Sequence, residues 1–403
     1  MSPAGRPTAD PHPHRARERS PYDTFPKTRG HIMRKTSIAA ALPALALVVA
    51  LSGCGSSDDE SASEDGLTTI DVGISPFQDT YLPIIGQEKG WFEEAGLNVN
   101  LRSLAWNAAM PALISGDVDI AVNNTTGVVS VANADPEVVY AYGWNPFTEG
   151  SALMIRPDGG LETIDTVEDR VGDHDEARTE VIESLAGKTI VTTLSTDMGK
   201  QINDALASVG MDEGDVTFLD MDPDAGLAAF LSGSGDAYLG GVPQRGRALE
   251  EGMEIGLSGP DLAAPPINGA VTTRSFATDE EDALLAFIDV MHRIIRYCDA
   301  ETEACATTIT DRLNEETAAG LTVEGFAEYW QNIELYAPNA AAAEEMILDE
   351  QGVSYWKTTW DSDNAYLVET DAIPAAVDAE TNFLMPQVWQ AYVDTYGADQ
   401  TDY

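Results

Sequence analysis

Histidine, cysteine and basic charge are all scarce in this 403-residue chain, which has five His, three Cys and 22 Lys+Arg against 68 Asp+Glu. Each shortage excludes something. Beyond residue 54 only His174 and His292 remain, too few for most His-based catalytic or zinc constellations, so no metal site, catalytic residue or cofactor is expected. Eight of the 22 basic and three of the 68 acidic residues lie in the first 53 positions, which leaves 14 basic against 65 acidic and a net charge near −51. Nucleic-acid phosphates need Lys and Arg, so nucleic acid is excluded as a partner. A solvated acidic shell of this kind keeps a displayed protein soluble and monomeric. A long apolar span is missing too. Ile38–Leu51 (IAAALPALALVVAL) is 14 residues and contains Pro43, short of the roughly 20 apolar residues that cross a bilayer as a helix.

That apolar run follows Met33-Arg34-Lys35 and leads into Leu51-Ser52-Gly53-Cys54-Gly55-Ser56-Ser57-Asp58-Asp59-Glu60. A basic start, an apolar middle and small residues before a cut are the layout of an export signal. Leu51–Cys54 resembles the bacterial lipobox, in which the cysteine is acylated and becomes the new N-terminus. Cys54 is therefore expected to carry lipid, holding the exported protein at the outer face of the cell membrane. The competing reading, a structural cysteine in a core helix, fits poorly with the flexible acidic tether that follows at once. Residues before Met33 read either as an extension from an upstream start or as a long basic n-region. Cys298 and Cys305, in YCDAETEAC, are expected to form a disulfide closing a small loop between helices outside the cytosol, with two free core thiols as the alternative.

From Thr68 short apolar strands alternate with helical segments: strands over 69–74, 97–104 and 119–122, helices over 83–95 and 108–115. Such alternation predicts an α/β fold with a largely parallel sheet. Two segments echo each other, Ala112–Ile120 (ALISGDVDI) and Ala229–Ala237 (AFLSGSGDA), with Ser115, Gly116 and Asp119 falling on Ser232, Gly233 and Asp236, 117 residues on. Upstream of each lies a helix ended by glycine, Gly96 and Gly210, where a left-handed C′ residue stops the helix. Two similar α/β lobes follow. Leu161–Ser184 is polar with little periodicity and is expected as a surface excursion. Residues 280–297 read as an amphipathic helix, and 323–396 as a helical tail whose Trp330, Tyr336, Trp356, Trp360 and Trp389 are expected to pack.

Tyr81–Leu101 (YLPIIGQEKGWFEEAGLNVNL), Ala112–Val122 and Ser184–Ile190 (SLAGKTI) together resemble the extracellular solute-binding proteins of ABC importers for nitrate, sulfonates, taurine and thiamine-pyrimidine precursors. The likeness covers about 67–276. It implies a periplasmic-binding-protein-like fold of the second structural type, with two α/β lobes, a hinge and a helical C-terminal region, and it implies ABC permease subunits as partners. The division expected is residues 1–53 as extension and signal, 54–66 as tether, 67–152 as the first part of lobe 1, 153–267 as lobe 2, and 268–403 as the return to lobe 1 with the C-terminal helices.

Ligands of open α/β sheets bind beyond the carboxyl ends of strands, so the loops after strands carry the candidate small-molecule site. Phe77, Gln78, Tyr81, Trp106, Asn107, Asn124, Thr125 and Trp144 come from lobe 1. Ser195, Thr196, Asp197 and Gln244 come from lobe 2. Phe77, Tyr81, Trp106 and Trp144 are expected as an aromatic wall, and Asn107, Asn124, Thr125, Ser195 and Thr196 as hydrogen-bonding groups, with helix capping the competing role for Asn107, Thr196 and Asp197. A free helix N-terminus at Thr196 suits a sulfonate or nitrate, whereas Asp79 and Asp197 beside aromatics favour an amine or a nitrogen heterocycle. Two rival functions share the fold: a small-molecule-converting enzyme, for which only carboxylates and Lys89, Lys188 and Lys200 remain as acid–base groups, and a sensory lipoprotein.

Overall fold

A computed structural model describes residues 66–403, except 195, 318 and 319. The segment expected as an export signal, Cys54 and Ser195 lie outside the described residues. Strand β1 (Thr68–Ile74) buries Ile70, Val72 and Ile74 and pairs in parallel with β2 (Leu97–Ser103) and β3 (Ile120–Asn124). Between β1 and β2 lie α1 (Pro83–Lys89) and α2 (Trp91–Glu94). The single helix expected over 83–95 is broken at Gly90, which sits at φ 72°, because a left-handed residue cannot continue the α-helical ladder. α3 (Trp106–Ser115) joins β2 to β3, and α4 (Thr125–Ala132) joins β3 to β4 (Val138–Pro146).

The chain then crosses to a second sheet. β5 (Ala152–Ile155) is followed by α5 (Ile164–Val171), α6 (His174–Glu183), β6 (Thr189–Thr192), α7 (Asp197–Ser208), β7 (Thr217–Asp220), α8 (Pro223–Leu231), β8 (Ala237–Gly240), α9 (Val242–Glu250) and β9 (Glu254–Ser258). The stretch expected as a surface excursion with little periodicity is α5 and α6. Thr163 and Asp173 cap them by accepting from the Thr166 and Glu176 amides. Ile164 with Val167, and Ala177 with Val181, make narrow stripes at i,i+3 and i,i+4 that bury against the lobe. So few apolar residues in an acidic sequence give a weak periodic signal.

β10 (Ile267–Thr273) returns to the first sheet and runs antiparallel between β3 and β4. The sheet orders are β2-β1-β3-β10-β4 and β7-β6-β8-β5-β9, one topology used twice. The sequence echo has a common structural cause. Asp119 accepts from the Asp71 amide at 2.8 Å and Asp236 from the Thr189 amide at 2.8 Å, so each aspartate pins its own strand to the first parallel strand of its sheet. The two crossovers are bonded to each other, Phe147 N–H to Pro266 O at 3.0 Å and Gly259 N–H to Ser151 O at 3.4 Å. Gly259 takes φ 50°, and a Cβ there would stand 2.3 Å from Thr148 O; only glycine fits.

Helices complete lobe 1. After α10 (Arg274–Asp279), α11 (Glu281–Ala300) buries Leu284, Phe287, Met291 and Ile294, with Phe287 stacked on Phe92 at 5.7 Å. Burying a side chain of that size contributes about 2–3 kcal/mol. A Cys298–Cys305 disulfide, S–S 2.03 Å, joins α11 to α12 (Thr302–Thr317). α13 (Val323–Asn332), α14 (Ala340–Ala343), α15 (Trp356–Glu369), α16 (Ala379–Asn382) and α17 (Met385–Tyr396) follow. Trp330, Tyr336, Trp356 and Trp360 are buried in this core, and Trp389 packs against it.

Candidate functional site

The carboxyl ends of β1 and β3 point the same way in the first sheet, as do those of β6 and β8 in the second. The loop after β1 turns tightly, with Thr80 Oγ1 donating to Ser75 O at 2.5 Å and Tyr81 N–H to Phe77 O at 3.2 Å. The turn sends Phe77 outward, 42% exposed, and Gln78 and Asp79 inward. Phe77 meets Trp106, the first residue of α3, edge to face at 5.7 Å.

Across the sheet the register sets Asn124, Asn268 and Asn145 side by side. Asn268 Nδ2 donates to Asp79 Oδ2 at 2.7 Å and to Asn145 Oδ1 at 2.9 Å. Asn145 Nδ2 in turn donates to Glu334 Oε2 at 3.2 Å, and the Glu149 amide to Glu334 Oε1 at 3.1 Å. A buried chain thus runs from Asp79 to Glu334, just beyond α13. Burial raises the Glu334 carboxyl well above the usual range, with Asp79 adding to the effect. Asp79 is pushed up to about 6, first by burial, with the nearby Asp197 carboxylate adding to it. Asp197 opens α7 of the other lobe, and burial raises its pKa as well. The loop after β1 and the start of α7 therefore lie within electrostatic reach of each other.

Several buried polar atoms at these strand ends lack a hydrogen-bond partner: Ser75 Oγ after β1, Asn123 Nδ2 in β3 and Thr192 Oγ1 at the end of β6. Buried polar groups are normally paired. A Cβ on Gly127 would stand 2.1 Å from Asn123 Oδ1, so glycine there makes room for the Asn123 side chain.

Within reach of Asp197, whose carboxyl the Lys200 charge lowers against the effect of burial, α15 bridges the lobes. Lys200 of α7, 2% exposed, reaches Asp204 Oδ2 at 2.7 Å, Ser362 Oγ at 2.6 Å and Asp363 Oδ1 at 3.7 Å. Thr126 Oγ1 of α4 donates to the same Asp363 Oδ1 at 2.8 Å, and Tyr366 O–H to Leu194 O at 3.4 Å.

Of the sequence-predicted residues, Phe77 and Trp106 meet, Gln78 is buried beside Asp79, and Asn124 caps α4 by accepting from the Gly127 amide at 3.0 Å. Thr125 lies against Asp363. Thr196 caps α7, accepting from the Met198 amide at 3.3 Å. Tyr81 is fully buried, its hydroxyl bonded to Ser103 Oγ at 2.6 Å and to Glu316, and its pKa is pushed up to about 12, first by burial. Trp144 is buried edge-on to Phe287, Asn107 lies exposed on α3, and Gln244 donates to Asp224 at 3.1 Å. Sequence reasoning misses Asn268, Glu334 and Asp363. An asparagine inside an apolar strand, as in Pro266-Ile267-Asn268-Gly269-Ala270, is a readable signal. Glu334 and Asp363 sit in a helical tail among many surface acids and carry none.

Neither histidine takes part. His292 is buried between Ala337 O (2.9 Å) and the Tyr142 hydroxyl (3.0 Å), and burial pushes it down to about 4. His174 lies at the surface between Glu168 and Asp261, which raise it to about 9. No cluster of metal-ligating residues occurs among the described residues. A groove of about 610 Å³ between α15 and residues 376–379, lined by Trp360, Asn364 and Val368, is reached by no strand end.

This arrangement defines a two-lobed protein of the periplasmic-binding-protein fold. The aliphatic sulphonate binding protein SsuA of Escherichia coli superposes with TM-score 0.62 at 14% identity, over 78% of this chain and 91% of that one. The alkanesulfonate-binding protein SsuA of Xanthomonas axonopodis pv. citri, bound to MOPS, gives 0.58 at 14%, over 78% and 97%. The nitrate-binding protein NrtA of Synechocystis PCC 6803 gives 0.55 at 16%, over 82% and 89%. No curated protein is a significant match in sequence. The sequence profile of the NMT1-like family matches residues 63–311, and the chain belongs to that family.

Proposed function

We propose that this protein is the lipid-anchored, extracellular solute-binding component of an ABC importer, capturing a small organic molecule in the crevice between its lobes and delivering it to a permease. The observation that carries this reading is the set of buried, unpartnered polar atoms at strand ends of both sheets, Ser75 Oγ and Asn123 Nδ2 on one and Thr192 Oγ1 on the other. Strand ends facing a crevice are where open α/β sheets bind ligands. Two crossovers bonded to one another suit a hinge. The fold's neighbours include proteins that bind sulfonates and nitrate, and Leu51–Cys54 supplies the acylation site.

A thermal-shift screen of the mature chain against sulfonates, nitrate, pyrimidines, riboflavin-like compounds and polyamines tests capture. A ligand at a hundred times its Kd adds about 2.7 kcal/mol to stability. No shift across that library, from folded protein, goes against the reading. Lipid anchoring is tested separately: Cys54→Ala is expected to move the protein from the membrane fraction to the medium.

A further inference from the structure

We propose that Lys200 is a positioning residue of solute capture, the lobe-2 half of a latch by which α15 holds the two lobes together and sets how readily the crevice opens. This rests on the reading of the crevice as a solute site and names the device that governs access to it. One face of α15 carries the latch. Thr359, Ser362, Asp363 and Tyr366 recur at i, i+3, i+4 and i+7 and so line up along the helix, while Trp356, Trp360 and Leu367 are buried in the core of lobe 1. Thr359 Oγ1 donates to Pro265 O, in the second crossover, at 3.1 Å. One turn on, Asp363 Oδ1 accepts from Thr126 Oγ1 of lobe 1 at 2.8 Å and stands 3.7 Å from Lys200 Nζ of lobe 2. Ser362 Oγ accepts from Lys200 Nζ at 2.6 Å and donates to Asp204 Oδ2 at 2.9 Å. A turn further, Tyr366 O–H donates to Leu194 O at 3.4 Å. At 1.5 Å per residue the stripe runs about 10 Å outward from the crossover.

The latch stands where the two sheets deliver their helices. Thr126 and Lys200 lie in the first turns of α4 and α7, which leave the carboxyl ends of β3 and β6. Besides the two covalent crossovers, α15 is thus a non-covalent tie between the lobes, and a hinge can turn only if this tie gives way. Its chemistry suits release. Lys200 is 2% exposed and Asp363 1%, and desolvating two charges costs about as much as their attraction returns, so a buried ion pair holds a register without binding tightly. Opening returns these groups to water. Asp363 Oδ2 and Gln201 Oε1, on the residue after Lys200, are buried without a partner, and buried polar groups are normally paired, so water gained on opening satisfies both. An apolar contact in this place would only lose by exposure. The closed arrangement is therefore held in register yet stays separable, and a solute that contacts both lobes adds to the same closure. Lys200 acts here through the position of the lobes, not through contact with the solute.

Spin labels at Ile114→Cys of α3 and Leu249→Cys of α9, exposed positions on opposite lobes, read the lobe separation by pulsed electron resonance in the mature chain carrying Cys54→Ala. The parent is expected to show one dominant distance. Ser362→Ala removes the hydroxyl between the lobes but leaves the Lys200–Asp204 pair within α7. It is expected to shift the open-to-closed ratio about fivefold or more towards a longer distance, the size of one hydrogen bond. Ser362→Thr keeps the hydroxyl and is expected to restore the parent distribution, which separates the latch from lost packing. Lys200→Met should open the lobes further, and Ser362→Ala stands in should it misfold. Unchanged distances in folded Ser362→Ala and Lys200→Met would overturn the latch, as would a parent that already populates both distances equally. These distances need no solute, so an overturned latch leaves the solute-binding reading standing. Any member of the thermal-shift library that binds the parent is expected to bind Ser362→Ala about fivefold more weakly, because the binding-competent state is less populated. Equal affinity would overturn the latch as a control of capture. A library without a binder counts against the solute reading alone, and the distances still decide the latch.

Discussion

Asp79 shows at the scale of one residue what burying a carboxyl costs. Its carboxyl is moved from an ordinary 3.8 to about 6, chiefly by burial. A carboxyl raised in the folded state favours folding below about pH 4, where it is protonated in both states, and that contribution is lost as pH rises through about 6. At pH 7 the protein therefore carries a penalty of up to about 3 kcal/mol at this residue. Asp79→Asn is expected to raise the melting temperature above pH 6, with the gain shrinking towards pH 4. Melting curves of both proteins between pH 4 and 8 check this, and a gain independent of pH would show that the carboxylate is not the source. Tyr81 carries the opposite lesson. An aromatic in a strand-end loop reads as a wall of the site, yet its hydroxyl is taken by Ser103 and Glu316 of α12. Glu316 lies 235 residues further along the chain, and no local pattern announces such a partner.

Among the elements, α15 links the lobes. It packs on α4 and reaches α7 through Lys200, Asp204, Ser362 and Asp363. Removing one partner of a buried ion pair leaves an uncompensated charge and costs about 3–5 kcal/mol. Lys200→Met is expected to lose that much in urea denaturation. Asp363→Asn should lose less, because Lys200 keeps Asp204 at 2.7 Å. Equal losses would mean that the 3.7 Å contact to Asp363 carries as much as the shorter one. Legibility divides along the same line. Strands such as TIDVGI and the glycine stops at Gly96 and Gly210 are local signals, and the structure has β1, β2 and left-handed φ values of 83° and 78° there. The α5–α6 pair escapes sequence reading because its apolar stripes are so narrow. Asn268 and Glu334 escape it because their meaning lies in register and in a contact spanning 189 residues.

For the whole molecule, charge outweighs every local feature. The chain beyond residue 53 carries 65 acidic residues against 14 basic, and surface salt bridges such as Arg170 to Glu180 at 2.7 Å engage only a few of them. Exposed ion pairs of this kind contribute little, because water and salt screen them. The repulsion left over acts over a Debye length, which falls from about 30 Å at 0.01 M salt to about 3 Å at 1 M. Added sodium chloride screens like charges in the folded chain more than in the expanded one, since folding brings them closer. The melting temperature is therefore expected to rise by several degrees between about 0.01 M and 0.5 M salt at neutral pH, most steeply below about 0.15 M where screening changes fastest. A fall over that range would mean that attractive pairs, not the acidic surplus, control the electrostatics of the fold. Near pH 4.5, where part of the carboxylates is protonated, the same salt series should give a smaller rise, and that contrast assigns the effect to carboxylate repulsion rather than to general salting-out.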